Sequence, residues 1–141
     1  MKNTNLLLAA MMTVTFATAG FAQTTTPKAV GSDKDKHGCI GSAGYTFSVV
    51  KDKCIKLFEE KIQLKEADSK KSYVANAVVI LSKDGKKAEV FLPDAKGSII
   101  LNKAVEYRDT TLYKNKKGVY QLSKDKDNYT LKKSKKIIFS I

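Results

Sequence analysis

The sequence contains very few of the residue types on which most enzyme active sites depend. Its 141 residues include one histidine, two cysteines, one arginine and no tryptophan. A serine–histidine or cysteine–histidine pair would have to centre on His37. Most aspartates and glutamates lie in turns flanked by lysine, a setting typical of solvated carboxylates. We therefore predict a non-catalytic protein with no catalytic residues and no cofactor.

One short segment is similar to the start of a calcium-binding loop. Asp33, Asp35 and His37 stand at alternate positions, and Gly38 follows them. The twelfth position of an EF-hand loop carries a glutamate that binds calcium through both carboxylate oxygens. Here that position is Gly44. We interpret the segment as a turn and predict no metal site.

The N-terminal residues have the pattern of a secretory signal peptide. Lys2 provides a positive start, residues 6–16 are mostly apolar, and Gly20 and Ala22 are the small residues that precede a cleavage point. The alternative is an uncleaved membrane anchor, but the apolar run is shorter than the roughly 20 residues that a transmembrane helix needs. We predict cleavage after Ala22, which leaves no transmembrane segment.

Cleavage at this point predicts the domain organisation and the compartment. Residues 1–22 are the signal peptide, residues 23–34 are a flexible leader rich in Thr, Pro, Gly and Ala, and residues 35–141 form a single β-domain. No cysteine follows the cut, which disfavours a lipid-anchored lipoprotein. The predicted location is the periplasm or the extracellular space.

The two cysteines, Cys39 and Cys54, are predicted to form a disulfide bond. Cysteines in an exported chain are usually paired, whereas their spacing is far from the C-x-x-C pattern of redox sites. In the chain-entropy treatment, closing a loop of this length stabilises a fold by about 3 kcal/mol.

The hydrophobic pattern predicts an all-β fold, a small antiparallel β-barrel or meander of about eight strands with one disulfide. Residues 45–49 alternate between polar and apolar side chains, and Asp84-Gly85 is a strong hairpin signal. Residues 59–71 are predicted as a strand followed by a loop, and residues 105–113 as a strand interrupted at Asp109-Thr110. Such strands recur at intervals of roughly 8–12 residues, as in barrels and sandwiches.

The chain carries a large positive charge that favours anionic partners. The formal net charge is +12, and +11 remains after the predicted signal peptide is removed. Anionic cell-wall polymer, lipopolysaccharide and phospholipid head groups all fit such a field. The alternative is that lysine-rich turns only keep a small β-protein soluble and protect its edge strands.

Nucleic acid is not an expected partner. Four tyrosines lie near lysines in the sequence: Tyr107, Tyr113, Tyr120 and Tyr129. Interleaved aromatic and basic residues occur in proteins that bind single strands. However, the single arginine and the export signal oppose that interpretation, and tyrosines in alternating strands are usually half-buried structural residues.

Residues 35–59 resemble a small cysteine-bearing module of exported bacterial proteins. The resemblance is carried by His37-Gly38-Cys39, by Ser42-Ala43-Gly44-Tyr45, by the aromatic Phe47 and by the second cysteine, Cys54, followed by a basic residue. The module implies no known activity.

The C-terminal half loosely resembles the membrane-bound and periplasmic inhibitors of c-type lysozyme. Tyr113, residues 118–120, Ser123-Lys124 and residues 129–131 occur in a similar order to the motifs of that family. The resemblance implies a small β-barrel, and in that family the serine and the lysine of the motifs enter the lysozyme cleft and hydrogen-bond its two catalytic carboxylates. Tyr113 matches the motif's tyrosine and Lys124 its lysine, whereas Asp109-Thr110 stand where the family has Ser-Gly.

Three functions follow as hypotheses, all of them non-catalytic. The first is a binding protein of the bacterial envelope that resembles lysozyme inhibitors, whose partner is a lysozyme or another envelope protein. The second is a lysine-rich binder of anionic cell-envelope polymer. The third is a structural envelope module. The candidate binding residues are Tyr113, Ser123, Lys124, Gly41, Ser42 and Tyr45.

Overall fold

The computed structural model describes residues 33–68 and 75–141. The predicted signal peptide and almost all of the predicted leader lie outside the described residues. The described strands are β1 Tyr45–Ser48, β2 Lys53–Lys56, β3 Ile62–Glu66, β4 Asn76–Leu81, β5 Lys87–Phe91, β6 Ser98–Tyr107, β7 Thr110–Lys114, β8 Tyr120–Asp125, β9 Asn128–Lys133 and β10 Lys136–Ser140. Gly41–Ala43 and Leu57–Glu59 are short 3-10 turns. No helical segment within the described ranges is long and apolar enough to cross a membrane.

Eight of the strands form a closed antiparallel barrel. Around the barrel the order is β10, β3, β4, β5, β6, β7, β8 and β9, so each strand pairs with its neighbours in sequence and β10 closes on β3. Strands β1 and β2 form a separate hairpin. The prediction of an all-β barrel of about eight strands with one disulfide is confirmed. Closure satisfies the backbone groups that the edges of an open sheet would expose.

One strand boundary differs from the sequence-based prediction. Residues 105–113 were expected to form a single interrupted strand, whereas β6 continues to Tyr107 and β7 begins at Thr110. The chain reverses at Arg108 and Asp109, and Arg108 has a positive φ of 51°. The interruption at Asp109 is therefore a hairpin turn between two strands.

The barrel interior is filled by the inward-facing side chains of all eight strands. Four leucines at its centre have no exposed surface: Leu64, Leu101, Leu122 and Leu131. The register pairs Leu122 with Leu131 on β9 and with Tyr113 on β7, so these three side chains lie side by side in the interior. An eight-stranded barrel is just wide enough for side chains to fill.

Strands β4 and β5 are buried on both faces, unlike the rest of the barrel. Ala77 and Val79 face the interior, whereas Val78, Ile80 and Phe91 face outward into a second apolar cluster. That cluster is completed by Ile55 of β2, with Val50 and Leu57 packed against it. The β1–β2 hairpin therefore covers the outer surface of the barrel at these two strands.

The β4–β5 connection is longer than a two-residue hairpin turn. Residues 83–86 make the turn, and Gly85 alone among them has a positive φ, of 66°. The Asp84 carboxylate accepts hydrogen bonds from Ser82 Oγ at 2.6 Å and from the Lys86 amide at 3.0 Å. The hydrogen bond from Ser82 is the main reason that the pKa of Asp84 lies below its usual value, and the bond from the Lys86 amide lowers it further.

Candidate functional site

The predicted disulfide between Cys39 and Cys54 is present. It attaches residues 33–44, which we call the stapled loop, to strand β2. The two Cα atoms are 5.5 Å apart, and Cys39 is 2% exposed. Cys54 is paired with Phe47 in the β1–β2 hairpin, so the bond ties the loop to the hairpin that covers the barrel. A disulfide is typical of proteins folded in oxidising compartments.

The carboxylates that resemble calcium ligands in sequence organise this loop. Asp35 accepts hydrogen bonds from the amides of Cys39 at 2.9 Å and His37 at 2.8 Å. The Cys39 bond is the main reason that the pKa of Asp35 lies below its usual value. Asp33 accepts bonds from the amide of Ser42 at 2.6 Å and from its hydroxyl at 2.7 Å.

The candidate residues Gly41, Ser42 and Tyr45 lie together on the exposed side of the stapled loop. Tyr45 is 39% exposed, and the Lys56 ammonium lies 5.1 Å from its ring centroid and 5.7 Å from that of Phe58. The Ser42 hydroxyl donates to Asp33. This side is accessible, but its hydroxyl and its cation both have intramolecular partners.

The candidate residues Tyr113, Ser123 and Lys124 do not form one surface. Tyr113 is 3% exposed, and this burial raises the pKa of its hydroxyl. The hydroxyl donates a hydrogen bond to the Gly85 carbonyl at 3.1 Å. Strand register places Lys124 beside Thr111 on the inward-facing row near the barrel end, whereas Ser123 is beside Leu112 on the outward row. A partner could reach Ser123 or Lys124, but contact with Tyr113 would require the barrel to open.

Glu89 was not identified from the sequence, and it fixes the hairpin to the barrel. Its side chain has no exposed surface. One carboxylate oxygen accepts from the Ser98 hydroxyl at 2.6 Å and the Val49 amide at 3.0 Å. The other accepts from the Ser48 hydroxyl at 2.6 Å and the Val50 amide at 3.1 Å. In the sequence this glutamate alternates with Ala88 and Val90, a pattern that indicates a solvent-facing residue.

A cleft lies where the hairpin turn meets the barrel, and we call it the lysine cleft. It has a volume of about 780 Å³. Its lining consists of Val49, Val50, Lys51, Lys53, Leu81, Ser82, Lys83, Asp84, Lys87 and Ile100. One wall is the β1–β2 turn that Glu89 holds in place, and the other consists of the end of β4, the β4–β5 turn, Lys87 of β5 and Ile100 of β6. The position of Glu89 therefore determines the shape of the cleft.

The lysine cleft combines an apolar lining with unneutralised positive charge. Lys51 forms an ion pair with Glu60 at 2.6 Å. Lys53, Lys83 and Lys87 are exposed, and none of them makes an ion pair with another residue of the described chain. Asp84 is the acid in the lining, and the three lysines without an ion pair outnumber its single negative charge. The arrangement can bind an anion whose carbon skeleton lies on Val49, Leu81 and Ile100.

Comparison with known protein families, with curated proteins and with solved structures finds no match to this chain.

Proposed function

We propose that this protein is an exported, non-catalytic binding protein that takes an anionic polymer of the bacterial envelope in its lysine cleft. The observation that carries the proposal is the clustering of Lys53, Lys83 and Lys87, without ion-pair partners among the described residues, around an apolar floor. Clefts with an apolar lining and a few polar groups are the usual form of a ligand site.

The charge of the cleft suits a ligand that repeats its negative groups. Lysine presents a flexible point charge, whereas arginine imposes a fixed bidentate geometry. Three lysines can therefore follow carboxylate, phosphate or sulfate groups whose spacing varies along a polymer. The net charge of +11 that remains after the predicted cleavage adds a field that attracts such a polymer to the protein.

The proposed compartment is the periplasm or the extracellular space. It is supported by the Cys39–Cys54 disulfide, which is typical of oxidising compartments, and by the signal-peptide pattern of residues 1–22. Anionic polymers of the cell wall and outer surface are accessible there.

The lysozyme-inhibitor hypothesis stays a prediction, and the structure supports it less than it supports binding of an anionic polymer. Its tyrosine, Tyr113, is inside the barrel, while Ser123 and Lys124 lie on opposite sides of β8. An assay of cell lysis by a c-type lysozyme tests it directly, and unchanged lysis at micromolar protein would remove the hypothesis.

We expect the protein to be retained on immobilised heparin and on isolated cell-wall sacculi, and to elute with moderate salt. Exposed charges are screened when the Debye length falls from about 10 Å at 0.1 M salt to about 3 Å at 1 M. The measurement is the salt concentration at elution from each matrix, with bovine serum albumin as an acidic control. Flow-through at low salt, or retention that ignores ionic strength, would contradict the proposal.

A further inference from the structure

We infer that the lysine cleft is one half of a longer track that binds an extended acidic polysaccharide. This inference rests on the proposed function, because it names the class of polymer that the same site would take. Its basis is a second cleft that continues from the first across the outer surface of the barrel.

The second cleft has a volume of about 530 Å³ and is formed by β5, β6 and the turn between β7 and β8. Its lining consists of Lys87, Ser98, Ile99, Ile100, Asn102, Asn115, Lys116 and Lys117. Lys87 and Ile100 also line the lysine cleft, so the two clefts adjoin at these residues. The second lining contains three lysines and no aspartate or glutamate.

Strand register gives the direction and the scale of the track. Lys87 of β5 is paired with Asn102 of β6, and Asn102 is paired with Lys114 of β7. Neighbouring strands are about 4.8 Å apart, so this row alone covers about 10 Å across the barrel. Lys53 and Lys83 lie in the cleft on one side of Lys87, and Lys116 and Lys117 lie in the cleft on the other. A small anion reaches one of these groups, whereas an extended chain can contact both.

The floor of the track indicates sugar rings between the anionic groups. Ile100 lies at the junction and provides an apolar surface for the CH faces of a sugar. Asn102 and Asn115 lie beside it, and side-chain amides both donate to and accept from hydroxyl groups. The side-chain carbonyl of Asn115 already accepts from the Tyr120 amide, so its NH₂ group is the part of the amide available to a ligand. An inorganic polyphosphate has neither CH faces nor hydroxyls and would use only the lysines.

Titration calorimetry with size-defined heparin fragments tests the inference. We expect an octasaccharide to bind more tightly than a disaccharide, and more tightly than polyphosphate of equal charge. In the double variant Lys116→Ala/Lys117→Ala, the octasaccharide affinity should fall about fivefold, because two exposed charge contacts are lost, while the disaccharide affinity should stay unchanged. The control, Lys65→Ala/Lys136→Ala, removes two exposed charges from β3 and β10 and should leave both affinities at the wild-type value.

The outcomes separate the track from the simpler site. Equal affinities for both fragments, or an equal loss for both in the Lys116/Lys117 variant, would overturn the extended track while leaving anion binding in the lysine cleft intact. Polyphosphate that binds as tightly as the octasaccharide would overturn the assignment to polysaccharide. Absence of heat with every probe would instead contradict the proposed function itself.

Discussion

Replacing Glu89 with alanine is expected to lower the free energy of unfolding by about 3 kcal/mol or more, since each buried donor left without an acceptor costs about 1–3 kcal/mol. Four donors lose their acceptor in this variant. Two of them are the hydroxyls of Ser48 and Ser98, and two are the amides of Val49 and Val50. Ser48 has no exposed surface, so water cannot replace the lost bond without opening the contact.

The conservative variant Glu89→Gln gives a sharper test of the same contact. Each carboxylate oxygen accepts from one hydroxyl and one backbone amide. A hydroxyl can rotate to accept from the new NH₂ group, but a backbone amide cannot. In either orientation the NH₂ group of the glutamine therefore faces one backbone N–H group that has lost its acceptor. The expected loss in the free energy of unfolding is about 1–2 kcal/mol.

Denaturant unfolding followed by circular dichroism measures both variants. The control is Glu106→Ala, which removes a carboxylate that is 58% exposed and paired with Lys103, and which should cost little stability because water screens an exposed ion pair. A loss of stability in Glu89→Ala no greater than in this control would show that the carboxylate does not hold the hairpin to the barrel. We also expect Glu89→Ala to bind more of a hydrophobic dye, since a loosened hairpin uncovers Val78, Ile80 and Phe91.

Reversing two charges in the lysine cleft is expected to reduce affinity for an acidic polymer by at least about tenfold. The change is Lys83→Glu/Lys87→Glu, which replaces attraction by repulsion at the two barrel-side lysines. Both side chains are exposed, so the fold should tolerate the substitution. The measurement is the dissociation constant for a heparin octasaccharide at fixed ionic strength.

The matched control for this variant is Lys65→Glu/Lys136→Glu. It changes the net charge by the same amount on exposed positions of β3 and β10, which do not line the cleft. An equal loss of affinity in the two variants would mean that the polymer responds to overall charge and that the lysine cleft is not a site.

The barrel could be predicted from the sequence because its strands and turns are specified by short stretches of neighbouring residues. Alternating residues such as those of β8, together with turn signals such as Asp84-Gly85, specify short antiparallel strands, and each barrel strand from β3 to β10 pairs with its neighbours in sequence. The disulfide was predictable because the chain offers a single pairing. Residues 105–113 were misjudged because a two-residue reversal at Arg108-Asp109 lacks glycine.

The lysine cleft could not be predicted, since it depends on how a separate hairpin docks onto the barrel. Lys53 and Lys83 are 30 positions apart in the sequence, and no pattern between them indicates that they share a cleft. Glu89 was missed for the same reason. Its alternation with Ala88 and Val90 is that of an ordinary solvent-facing strand residue, and it becomes a buried anchor only because the β1–β2 turn covers it.

NMR mapping of the bound polymer is the decisive test of the lysine cleft as the binding site. Amide shifts of the ¹⁵N-labelled protein would be followed while a heparin octasaccharide is added at constant salt. If the polymer binds along the two clefts, the largest changes should fall in residues 49–53 and 83–87, with a second group at Lys116 and Lys117. Changes concentrated on residues 41–45 or on Ser123 and Lys124, with the lysine cleft unaffected, would contradict it.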